Sequence, residues 1–281
     1  MRLPPQASRL PDGRLHLQHG PIDLILGADD VSARAPAFRA AAERFATVLD
    51  ELCAELSALR APAGSAVLRG VVARRMAAAV QPHAQKCFIT PMAAVAGAVA
   101  DEILAVMQQA APLRRAFVNN GGDIALHLAD GERFRVGLVD RPDHPGLFGA
   151  TEITHAADVR GIATSGWRGR SFSLGIADAV TVLAASAATA DAAATVIANA
   201  VDLPGHPAVR RVPACEVQAD SDLGGRAVTR DVGTLSPAEI DAALQCGVAA
   251  AEALRQAGLI TAAALHCQGH TRTTERSRVH A

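Results

Sequence analysis

Residues 116–125 read Ala116-Phe117-Val118-Asn119-Asn120-Gly121-Gly122-Asp123-Ile124-Ala125, two apolar runs joined by a polar turn with two glycines. The apolar runs predict strands at 116–119 and 124–128. The turn has two readings. Successive backbone N–H groups there can form an anion-binding nest. Equally, the glycines can supply the positive φ of a plain hairpin. It is not a dinucleotide fingerprint, and no phosphate-loop motif occurs elsewhere in the chain.

Further strands are predicted at 133–139, 151–156, 161–165 and 179–184, with Asp130-Gly131 as a hairpin turn between two of them. Upstream, Leu15/Leu17 and Ile22/Leu24/Leu26 alternate with polar residues, which predicts two short strands turning at His19-Gly20. A long helix is expected at 35–59, with Phe38, Ala42, Phe45, Leu49, Leu52, Leu56 and Leu59 on one stripe. Ala61-Pro62-Ala63-Gly64 ends it, and 67–85 reads as a strand and a short helix. Thr90-Pro91 has the form of an N-cap followed by proline and opens a helix over 92–109. Another helix starts at Ser186 or Thr189 and runs to Ala200. Ser236-Pro237-Ala238-Glu239 is a capping box opening a helix to Gln256. Strands interleaved with long helices define an α+β chain, with mixed or antiparallel sheets packed against those helices. Residues 1–260 form one such domain, open to subdivision, and 261–281 a polar C-terminal tail.

Composition narrows the function. Half of the 281 residues are apolar, enough for a sizeable core. The net charge of −1, with basic residues only in pairs, gives no field for nucleic acid or an anionic membrane. One Trp, seven Phe and no Tyr make a base-stacking platform a poor fit. The apolar helix at 92–107 reads as shorter than a membrane span and carries Asp101 and Glu102. Five scattered cysteines without a CxxC pair, and no apolar signal segment, point to the cytoplasm. Alanine-rich faces suit a homodimer.

Three groups of residues can carry chemistry. The first is the turn Asn119, Asn120, Gly121, Gly122 and Asp123, with Asp101 at the end of a small-residue helix stripe. The second is Thr164-Ser165-Gly166 followed by Trp167 and Arg168, a hydroxyl, a backbone amide and a guanidinium that suit a phosphate, with Asp178 able to aim at the same cleft. Its alternative is a solvated loop tethered by the Trp. The third is Asp191 and Thr195, four residues apart on one helix face, whose oxygens suit Mg²⁺. Its alternative is a capping Asp and a Thr bonded to its own helix.

Taken in order, the stretches 92–101, 118–123, 164–166 and 180–195 resemble the ApbE-like superfamily, FAD:protein FMN transferase relatives, and within it the UPF0280 branch. Ala219-Asp220-Ser221-Asp222-Leu223-Gly224 and Val228-Thr229 extend the resemblance over roughly residues 13–260. The resemblance implies a T-fold-related architecture and a central cleft holding FAD or FMN, with Mg²⁺ on the pyrophosphate. By position it implies Asp191 and Thr195 as metal ligands and Asn120, Gly121 and Gly122 along the flavin. Ser165 and Gly166 would lie near the phosphates, and Asp101 would match the acid after the small-residue helix. The implied function is a magnesium-dependent enzyme acting on a flavin or another phosphorylated small molecule, by FMN transfer or pyrophosphate cleavage. The alternatives are a flavin- or nucleotide-binding protein without catalysis, or a non-catalytic structural relative. Two departures stand out. Ala96 stands where the transferases place a Lys before the glycine, and 173–180 lacks the His, Pro and Thr-Gly of their His-x-x-Asp-Pro-x-Thr-Gly segment.

Overall fold

The computed structural model describes residues 4–139 and 147–274. In chain order it opens with strands Gln6–Arg9 (β1), Leu15–His19 (β2) and Ile22–Ala28 (β3). Helices Val31–Ala54 (α1), Leu56–Leu59 (α2), Val71–Val80 (α3) and Val95–Ala110 (α4) follow. Then come strands Arg115–Asn120 (β4), Asp123–Leu128 (β5), Arg133–Val139 (β6), Leu147–Thr154 (β7), Gly161–Ser165 (β8) and Ala179–Ala184 (β9), and helix Ala187–Ala200 (α5). The chain continues through Val209–Pro213 (β10), Ala214–Val217 (α6), Ala227–Val232 (β11), Pro237–Gln256 (α7), Ala262–Cys267 (β12) and His270–Thr273 (β13). This is an α+β architecture of antiparallel strands and long helices. It divides into two compact units, one made of Met1–Phe134, Ile153–Ala163 and Ala184–Asp191, the other of Arg135–Glu152, Thr164–Leu183 and Ala192–Ala281.

In the first unit β1 to β5 pair antiparallel in sequence order, and β5 also pairs with the start of β8. Alternation sets which side chains enter the core. Leu17 lies opposite Leu24 and Leu15 opposite Leu26, and all four are buried. On β4 the same alternation buries Ala116, Val118 and Asn120. Helix α4 packs on β4, β5 and α1; Val99, Ile103, Leu104 and Met107 of α4 and Phe38, Phe45, Leu49 and Leu52 of α1 are all buried.

Several sequence expectations change here. The first long helix begins earlier, at Val31, and breaks at Glu55. At the break the Glu55 carboxylate accepts the Arg69 and Gly70 amides, both at 2.7 Å, and so holds the entry to α3. Residues 67–85 contain α3 and no strand among the described residues. Thr90 makes no side-chain cap, and Pro91–Ala94 forms a tight 3₁₀ turn ahead of α4. Together Pro91–Ala110 spans 20 residues and includes an 18-residue window of mean hydropathy 1.3, long and apolar enough to cross a membrane, contrary to the shorter span expected. More than half of it is buried in the protein, including Glu102, which pairs with Arg44 at 2.8 Å and Arg75 at 3.3 Å. Those contacts are what a core helix makes. Asp130-Gly131 does form a turn, with Gly131 at φ 78°, but β6 pairs with β7 and not with β5.

In the second unit β12 lies between β9 and β13, antiparallel to both. β10 pairs with β11, and α7 packs on β12 and β13. The capping box is present in full: Ser236 accepts the Glu239 amide while Glu239 accepts the Ser236 amide. The stretch expected as a polar tail instead contributes two strands up to Thr273, and every residue of β12 is buried. The small side chains of Ala262-Ala263-Ala264 let the strand lie fully covered, a signal that alternation does not carry.

Gly97 is the tightest backbone approach near α4. A Cβ there would run into the carbonyl of Ala187 and the amide of Ala188, both main-chain atoms that have no room to yield. Gly97→Ala is therefore expected to cost at least about 2 kcal/mol, read as a lower urea midpoint at unchanged m-value.

Candidate functional site

In the first unit the starts of α4 and α5 meet the tip of the β4–β5 hairpin. Each helix begins with amide groups that have no partner inside the helix. At α4 the N-cap residue is Ala94, which has no side-chain oxygen to offer. Asp191, from α5, supplies one: its Oδ2 accepts the Gly97 N–H at 3.0 Å. At α5 the reverse happens. Asp101, from α4, accepts the Ala187 N–H at 3.0 Å and the Ala188 N–H at 2.9 Å, one with each carboxylate oxygen. Ser186 completes that end by accepting the Thr189 N–H at 3.2 Å. The two helices cap each other through carboxylates, Asp191 about one turn inside α5 and Asp101 nearly two turns inside α4.

The hairpin closes the arrangement. Asn120 lies opposite Asp123 across a two-residue loop, with Gly121 at φ 63° and Gly122 at φ 114°. The Gly122 N–H is taken by the Asn119 side chain at 2.8 Å, so this is hairpin geometry, with that amide already bonded. Asn120 is buried and donates from Nδ2 to the Ala96 carbonyl at 3.0 Å, which ties the hairpin to the start of α4. Asp123 is also buried.

Electrostatics single out Asp191. Part of its surface remains accessible, yet burial is the largest influence on its carboxyl, with the Asp123 carboxylate next. Both push it well above the usual carboxylate range, against the downward pull of the Gly97 and Ala96 amides. Asp101 is also raised by burial, opposed by the Ala188 and Ala187 amides and by Arg75. Two carboxylates near each other in a covered place form a poor home for two negative charges and a good one for a hard divalent cation. Among the described residues no group of three or more His, Cys, Asp or Glu gathers as a metal centre.

The second unit holds the other predicted group. Gly166 is buried against the Asp178 and Ala177 carbonyls, and Thr164 Oγ1 is 2.9 Å from Thr181 Oγ1. Asp178 is a junction of the fold. Its Oδ1 accepts Arg168 Nε at 2.7 Å and Trp167 Nε1 at 3.2 Å, and its Oδ2 accepts the Gln268 N–H at 2.6 Å. Gln268 sits at φ 43° in the β12–β13 turn, so this carboxylate fixes a hairpin. Arg168 also stacks over the Trp167 ring at 4.3 Å. Ser165 is half-buried beside this junction in sequence, and Thr195 lies one turn beyond Asp191 along α5, in the second unit and partly buried.

Thus Asp101, Asn120, Asp123 and Asp191 come together in one unit, while Thr164, Gly166 and Asp178 form contacts of their own in the other. Asn119 turns back on the hairpin. Sequence reasoning missed the amides of Gly97, Ala187 and Ala188 as their partners, and Gln268 as the partner of Asp178. The Ser186-x-x-Thr189 spacing and the lone Gly97 amid alanines were the available signals.

These features define an ApbE-related α+β protein in which the acid-bearing helices meet end to end. The family model AbpE bacteria matches residues 7–273, and the chain belongs to that family. A UPF0280 protein of Methanopyrus kandleri is 40% identical over 129 residues, 46% of this chain and 48% of that protein. A UPF0280 protein of Methanospirillum hungatei is 34% identical over 152 residues, 50% of this chain and 55% of that one. The matches span about half the length of these curated relatives. Among solved structures, the flavinyl transferase ApbE of Pseudomonas stutzeri in its apo form has a TM-score of 0.49 at 13% identity, covering 97% of this chain and 96% of that one.

Two predictions follow from these contacts. Because the folded protein holds Asp191 above its ordinary value of 3.8, it binds more protons there than the unfolded chain. That acid therefore costs stability as pH rises through the raised value. In EDTA, Asp191→Asn should melt roughly 2–4 °C above the parent at pH 8, with the gap closing near pH 4. Asp178→Ala, which strips three donors of their acceptor, should cost about 2–4 kcal/mol and red-shift the emission of Trp167, the only tryptophan.

Proposed function

We propose that this protein binds a flavin or related nucleotide carrying a pyrophosphate, together with Mg²⁺ at Asp191 and Asp123, and that it does not transfer FMN. Membership of the family and the resemblance noted above support a flavin-type ligand. The donor chemistry of the first unit fits the metal: carboxylate oxygens are the hard ligands Mg²⁺ prefers, and a cation beside Asp123 and Asp191 would relieve the repulsion that raises Asp191. Bound there, Mg²⁺ would neutralise phosphate charge.

One observation carries the non-transferring part. Asp178 is the acid that remains where the transferases have His-x-x-Asp-Pro-x-Thr-Gly, and both its oxygens are committed to Arg168, Trp167 and the Gln268 amide. That carboxylate organises protein: it is held by a guanidinium, an indole and a main-chain amide, an arrangement that keeps it fixed in place and not poised as a proton acceptor for an incoming hydroxyl. A second reading, Mg²⁺-assisted cleavage of a pyrophosphate, draws on the same acid pair and needs only water as acceptor.

The test is titration of the purified protein with FAD, FMN and ADP, with and without Mg²⁺, followed by chromatography of the bound nucleotide. Mg²⁺ is expected to tighten FAD and ADP at least about tenfold, about 1.4 kcal/mol, and FAD is expected back intact. Release of AMP in the presence of Mg²⁺ would establish the cleavage reading. Failure to bind any of the three would leave a structural relative without the ligand.

A further inference from the structure

Each oxygen of Asp101 accepts one of the first two amides of α5. Its partner in this exchange is Asp191, which returns the favour at the third residue of α4. The approach is fixed from a third side by Gly97, whose missing side chain admits the Ala187 carbonyl. It is fixed from a fourth by Asn120, bonded to Ala96. A carboxylate across two adjacent amides resists rotation of the turn it holds, in a way that a single bond does not. Asp191 lies only three residues beyond Ala188, inside the turn so held.

We propose that Asp101 is the positioning residue for Asp191: the two acids form one coupled reciprocal cap, and Asp101 orients the first turn of α5 so that the Asp191 carboxylate faces Asp123. This rests, for its bearing on ligand, on the Mg²⁺ reading given above. The coupling of the two caps does not depend on that reading. Each acid holds the helix from which the other projects, so loosening one end releases the acceptor of the other. Arg75 lies near Asp101 and sits on the remaining side, paired with Glu102 at 3.3 Å, where it favours the charged form of the cap.

Two measurements test this. In the first, Asp101→Asn and Asp191→Asn are combined in a double-mutant cycle read by urea unfolding in EDTA. Coupled caps predict that the two changes interact by at least about fivefold in the unfolding equilibrium constant. Additive effects would overturn the reciprocal cap, whether or not any ligand binds. In the second, ADP binding is measured with and without Mg²⁺. Asp101→Asn should lose at least about tenfold of the Mg²⁺-dependent gain while metal-free ADP affinity stays within about twofold of the parent. Asp191→Asn should lose the gain entirely. A full gain in folded Asp101→Asn would overturn the positioning role, and so would a parallel fall in metal-free affinity. If Asp101→Asn does not fold, Ser186→Ala loosens the same turn from its other cap and should reduce the gain at least about threefold; an unchanged gain overturns the proposal equally. A parent protein with no Mg²⁺-dependent gain would end the metal reading, and the unfolding cycle alone would then decide the cap.

Discussion

Helix α4 begins with no side-chain cap of its own and α5 with Ser186 alone, and each borrows a carboxylate from the other. α4 starts at an alanine cap and receives Asp191, and the first two amides of α5 receive Asp101. A helix N-terminus carries partial positive charge, so a carboxylate there is both hydrogen-bonded and electrostatically favoured. The exchange explains the glycine at position 97 and the alanines around it, since the two helix ends must come within main-chain contact for the carboxylates to reach. The hairpin carrying Asn120 and Asp123 is bound into the same place through the Ala96 carbonyl.

That arrangement has an electrostatic cost. Bringing Asp191 close to Asp123 under cover leaves two acids competing for charge, and burial adds to the difficulty. Proteins tolerate such pairs where a cation or proton resolves them. The amides of α4 offset part of the burden on Asp191, and those of α5 with Arg75 do the same for Asp101. The difference between the acids is chemical: Asp101 is spanned by two amide bonds, whereas Asp191 accepts from the Gly97 amide and feels the charge of Asp123. Asp178 in the second unit is a third case, buried, matched to a guanidinium, an indole and an amide, and therefore a fixture of the fold.

Much of the scaffold was legible from pattern. The period-two runs at Leu15/Leu17 and Ile22/Leu24/Leu26 became paired strands, and Ser236 with Glu239 became the full capping box. What misled was context. The helix that the apolar stripe extended to Leu59 is interrupted at Glu55, whose carboxylate accepts two amides at the entry to α3, a contact with residues 14 and 15 positions away that the local pattern does not carry. Thr90 looked like a cap by type and position, yet its side chain makes no cap bond and α4 starts a turn later. The strand at 262–267 escaped notice because a fully covered strand of small residues shows no alternation.

The sequence by itself determined where most of the helices and strands lie, since periodicity, glycines and caps are local, and it marked Asp101, Asn120, Asp123 and Asp191 as worth attention. Only the tertiary structure decided what those side chains hold. A carboxylate does not record in its own neighbourhood which distant amide it will meet; here Asp191 meets Gly97 and Asp101 meets Ala187 and Ala188. Those pairings come from how closely two helix ends pack, and packing is a property of the folded chain as a whole.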